Sequence, residues 1–134
     1  MRSTLLLGLA LFALSAGAAH AGDHIGRTAL VVGDDGTEAQ TVFAADAPKI
    51  VLHVELKSPE VGAKVEGVCF AVKTDAAPAN YKIDAATLTL DSSTLDEVTF
   101  SLSKPTAGWP VGTYQVELTY NGAAEKTVPF SVEK

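Results

Sequence analysis

Gly112-Thr113-Tyr114-Gln115-Val116-Glu117-Leu118-Thr119-Tyr120, the pair Asn121-Gly122, and Val128-Pro129-Phe130-Ser131-Val132 make up the stretch on which the fold is decided. Tyr114, Val116, Leu118 and Tyr120 alternate with Gln115, Glu117 and Thr119, so an extended chain here has one apolar and one polar side. Val128, Phe130 and Val132 repeat the alternation against Thr127, Pro129 and Ser131. Asn121-Gly122 tolerates the positive φ angles of a two-residue hairpin turn. The passage predicts two antiparallel strands sharing one core face.

The same period of two runs upstream. Ile50, Leu52, Val54 and Leu56 alternate with Val51, His53, Glu55 and Lys57, and Val98, Phe100 and Leu102 with Thr99, Ser101 and Ser103. Val68, Phe70 and Val72 are read as core-facing, with Cys69, Ala71 and Lys73 on the wetter side. Tyr81 and Ile83 set one phase and Ala86, Leu88 and Leu90 another, a slip that predicts a bulge near Asp84-Ala85 and, with it, a crossing between sheets. Thr28–Val32 is a short strand ended by the turn Gly33-Asp34-Asp35-Gly36, where Asp and Gly are ordinary turn residues. Pro59, Pro78, Pro105 and Pro110 fall between the runs, where a missing N–H does no harm. No segment keeps a helical period; one helical turn is expected at most, near Ser92–Asp96. About seven to eight short strands at this spacing predict an all-β sandwich, one domain over residues 22–134.

The first residues are of another kind. Met1-Arg2, an uncharged run from Leu5 to Leu14, and Ala19-His20-Ala21 have the three parts of a secretory signal peptide over residues 1–21. The apolar run falls short of the roughly 20 residues a spanning helix needs, so no membrane insertion is expected and the protein is placed in the periplasm or secreted. With one cysteine in the chain no internal disulfide forms, and Cys69 in its apolar run reads as a small buried hydrophobe. The formal net charge is −6 over 134 residues, with the positive charges scattered singly. Nucleic acid and anionic membrane are therefore not expected partners.

The run from Ser103-Lys104-Pro105 through Gly108-Trp109-Pro110-Val111-Gly112-Thr113-Tyr114 to Leu118, with the hairpin that follows, resembles the C-terminal hairpin of bacterial immunoglobulin-like and fibronectin-type-III-like domains. The resemblance implies an immunoglobulin-like antiparallel β-sandwich. It further implies that Tyr114 forms a tyrosine corner, its hydroxyl bonding backbone a few residues upstream. Val116 stands where antibody domains carry a cysteine, so their inter-sheet disulfide is not expected. Such a fold hosts many activities and names none.

Few residues offer chemistry. If residues 1–21 are cut away, the chain starts Gly22-Asp23-His24, and the amine, two backbone nitrogens and the imidazole of such a terminus can form a square-planar set around Cu(II) or Ni(II). Copper-carrying periplasmic sandwiches are a poor match beyond that, since the only methionine is Met1 and no Asp-x-His pair is present. His53 is expected on the outer face of its strand, with no acid, serine or cysteine placed beside it by sequence. Trp109 is read either as a cap on the core or as an exposed recognition aromatic. No catalytic set can be assembled, so an enzyme is not expected and no cofactor is required. The expected function is a noncatalytic binding module for an envelope protein or a second copy, through a face carrying Val51, His53, Cys69 and Ala71. The alternative is periplasmic Cu(II) or Ni(II) binding through Gly22, Asp23 and His24.

Overall fold

Apolar residues at every second position can leave water only if two extended sheets close on each other. The computed structural model describes residues 24–134; the leader read at residues 1–21, and Gly22 and Asp23 of the terminal metal motif, lie outside them. Among the described residues eight strands follow in chain order: β1 (Ile25–Val32), β2 (Val42–Ala44), β3 (Lys49–Leu56), β4 (Lys64–Thr74), β5 (Tyr81–Thr89), β6 (Glu97–Ser103), β7 (Gly112–Tyr120) and β8 (Ala123–Glu133). They form a three-stranded sheet, β1-β3-β6, packed against a five-stranded sheet, β2-β8-β7-β4-β5. All neighbours are antiparallel except β2, which lies parallel to β8 over three residues.

The deciding hairpin is as expected. Tyr114, Val116, Leu118 and Tyr120 face inward with Val128, Phe130 and Val132, all buried. Asn121 and Gly122 connect β7 to β8 at φ 51° and 86°. Ile50, Leu52, Val54 and Leu56 supply the facing layer from the central strand of the smaller sheet.

Two expectations about the strands are corrected. In β4 the core face is Val65, Gly67, Cys69 and Ala71, while Val68, Phe70 and Val72 face outward and are partly buried. Both faces of this strand are apolar, so alternation alone leaves its phase open. Packing selects it: a Cβ on Gly67 would stand 3.3 Å from the Phe100 ring, so the small side of β4 makes room for that ring. The slip in β5 is a bulge, Asp84 pairing with Cys69 and Lys82 with Phe70, with Ile83 the extra residue. The strand stays in one sheet; residues 90–96 make the crossing. They form no helix: Ser92 Oγ accepts the Thr94 N–H at 3.1 Å in a local turn.

The partner face expected at Val51, His53, Cys69 and Ala71 does not exist as one surface. Cys69 and Ala71 lie in the core. Val51 pairs with Val31 on the outer side of the smaller sheet, both are buried, and a Cβ on Gly36 would stand 3.0 Å from the Val31 side chain as the following loop folds back. His53 alone of the four is partly exposed on the outside.

Candidate functional site

Five strands over three leave an overhang. On β5, Asp84, Ala86 and Leu88 sit in register with the buried Cys69, Gly67 and Val65, on the core-facing side, yet Asp84 and Ala86 are exposed. The smaller sheet ends at β6 and leaves them uncovered. The sandwich is therefore open along β5 and β6, where Phe100, Leu102 and Ala86 line a narrow opening. Past the end of β6, the start of β5 and the Pro105–Pro110 loop enclose a second, apolar cleft of about 270 Å³ between Tyr81, Ile83, Ala107, Trp109 and Tyr114. Tyr81 and Ile83 are 52% and 41% exposed, two of the few large hydrophobics on the surface.

The cleft floor is rigid. Tyr114 donates its hydroxyl to the Pro110 carbonyl, the tyrosine corner that the resemblance implied. Its ring stacks on Phe130 at 5.1 Å and meets Trp109 edge-on at 6.1 Å. Trp109 is 4% exposed and its indole N–H donates to the Ala47 carbonyl at 3.0 Å. It is a core cap whose edge reaches the cleft, not an exposed recognition aromatic, because its backbone N–H is also held by the Ala45 carbonyl at 2.9 Å.

His53 acquires a partner that sequence did not place beside it. Its Nδ1 lies 2.5 Å from Glu97 Oε2, across the sheet on β6. Glu97 stands opposite Glu55 in the register; Glu97 turns to His53, and Glu55 to Arg27, whose Nε is 3.8 Å away. The pair is a surface contact: the side chains of His53 and Glu97 are 33% and 50% exposed. Forty-four positions separate the two, so only strand pairing could reveal the contact.

His24 is also engaged. Glu125, its side chain 4% exposed, accepts the His24 and Ile25 N–H groups on Oε1 at 3.0 and 2.9 Å, and its Oε2 lies 3.1 Å from His24 Nδ1. The imidazole stacks on Tyr120 at 3.9 Å. The amide nitrogen and Nδ1 of His24, two of the atoms an amino-terminal chelate would use, are those that Glu125 holds. Among the described residues no group of three or more His, Cys, Asp or Glu side chains is arranged to hold a metal ion.

Buried groups are tuned by desolvation. Burial pushes the Cys69 thiol up to about 12, with the nearby Asp84 charge adding to it. Burial likewise pushes the Tyr114 hydroxyl up to about 12, with the Cys69 charge second. Neither group is poised to ionise near neutrality, so neither is prepared as a nucleophile or base.

No family model matches the chain, and no curated protein matches it. Among solved structures it is similar to an immunoglobulin-like protein from Pseudomonas aeruginosa, with a TM-score of 0.59 and 12% identity over 87% of this chain and 100% of that one. The fold is an immunoglobulin-like all-β sandwich. At that identity the likeness speaks for fold alone.

Proposed function

We propose that this immunoglobulin-like sandwich is an exported, noncatalytic interaction domain that holds a partner protein of the cell envelope at the open side between β5 and β6. The observation that carries the reading is the pairing of a rigid, aromatic-floored cleft with exposed Tyr81 and Ile83 at its rim. Apolar rims over a preformed floor suit binding, since little order has to be gained on contact. The leader at residues 1–21 supports export, and the scattered charge supports a protein rather than a phosphate-bearing partner.

A photo-reactive phenylalanine analogue at position 81, compared with one at Thr127 on the outer face of β8, tests the reading in exporting cells. Adducts of defined mass from position 81 and none from position 127 are expected. Equal labelling from both positions, or none from position 81, overturns it.

A further inference from the structure

The open side also exposes backbone. In the β3–β6 ladder the Leu56 N–H bonds the Asp96 carbonyl at 2.9 Å and the Lys104 N–H bonds the Pro48 carbonyl at 3.1 Å, which marks these as the hydrogen-bonded pairs. By alternation Val98, Phe100 and Leu102 bond to β3. The N–H and C=O groups of Glu97, Thr99, Ser101 and Ser103 therefore point the other way, toward the opening.

The other three sheet edges are blunted and this one is not. β1 carries a register shift between Ile25 and Thr28, its Arg27 N–H is taken by Glu55 and its Leu30 carbonyl by the Gln40 N–H. β2 is only three residues long. β5 has the Ile83 bulge, Lys82, and Asp84 turned onto its own Ala85 N–H at 2.8 Å. Bulges, short length and lysines are the usual protections of a sheet edge. β6 is seven residues, Glu-Val-Thr-Phe-Ser-Leu-Ser, without bulge, proline or lysine.

Resting on the function just proposed, we infer that β6 takes up an extended segment of the partner as an added strand, and that this segment presents an inward Lys or Arg, flanked by apolar residues, to Asp84. Backbone groups in a row specify a strand and nothing else. The added strand would lie opposite β5, over Ala86 and Asp84, where the smaller sheet stops short. Ala86, opposite Gly67, leaves depth for its inward side chains. Among the described residues that wall this slot Asp84 is the one charge, so charge complementarity selects a cation. A second copy adding its own β6 antiparallel, about a two-fold axis, would bring both five-stranded sheets to the same side of the joined sheet, where the two β5 overhangs collide.

The probe is the blocked heptapeptide Thr-Val-Thr-Lys-Thr-Val-Thr, whose Val and Lys side chains share one face, beside the same peptide with a central Glu. The Lys peptide is expected to bind about tenfold more tightly than the Glu peptide, the ratio a single ion pair gained and one repulsion avoided can support. It should also slow amide exchange at Thr99 and Ser101. Ser101→Pro, which removes a free-side donor and no β3 bond, should abolish both effects. Asp84→Lys, on an exposed position, should reverse the peptide preference even if the proline variant folds poorly. Binding without protection at Thr99 and Ser101, no binding of either peptide, or a preference that Asp84→Lys leaves unchanged overturns strand addition. Photo-adducts at position 81 that persist in Ser101→Pro would sink strand addition while leaving the interaction reading standing.

Discussion

At the scale of single residues, burial decides what each group can do. Cys69 is 2% exposed and its thiol is held protonated to about pH 12, so it packs as an apolar side chain. The folded protein is expected to leave a disulfide reagent such as Ellman's untouched at pH 8 and to react fully in urea; rapid reaction of the folded form would refute the placement. Glu125 poses the opposite case, a buried carboxylate fully committed to the start of β1. In protein beginning at Gly22, a Cu(II) chelate must take the His24 amide and imidazole from it. Glu125→Ala should then bind Cu(II) on the order of tenfold more tightly, since each hydrogen bond withdrawn costs roughly 1 kcal/mol. Equal affinity by calorimetric titration would remove the competition. His24 was legible as a metal-ligand pattern and Glu125 was not, because the carboxylate arrives from 101 positions away.

At the scale of elements, hairpin and turn chemistry was legible and strand phase only in part. β3, β6, β7 and β8 have one apolar and one polar side, so their core faces follow from alternation. β4 has two apolar sides, and the side that turned inward is the one with the smaller residues. The start of β7 depends on Gly112, at φ 151°, where a Cβ would stand 2.1 Å from the Lys73 carbonyl oxygen. That oxygen belongs to the β4–β7 ladder and cannot retreat. Gly112→Ala is expected to lower unfolding free energy by about 2–4 kcal/mol through strain and overpacking. A urea melt that matches the parent would show that the ladder gives way more easily than its pairing implies.

Across the whole molecule, alkaline stability follows from the two raised groups. Unfolded, the thiol and phenol lose protons near their ordinary values of 9.0 and 10.0; folded, both hold them to about 12. Below pH 9 both states are protonated and neither group changes the balance. From pH 9 to about 12 the unfolded chain carries fewer protons than the folded one, so stability falls as pH rises. Urea midpoints should decline across this window. Cys69→Ala should flatten the decline, and an unchanged slope would show that other groups dominate.

Alternation and turn residues are local properties, and they determined by themselves that this chain forms an all-β sandwich whose last hairpin turns at Asn121-Gly122; the immunoglobulin-like form and the Tyr114 corner were implied by the resemblance of the run from Ser103 to Leu118. Only the tertiary structure decided which strand ends each sheet. Whether an edge is covered depends on how many strands pack opposite it and on where their bulges fall, a property of the pair of sheets and of no single segment. The open side between β5 and β6, the His53–Glu97 contact and the Glu125 hold on His24 all arise from long-range pairing. The candidate site lies there because the five-stranded sheet extends one strand beyond its partner.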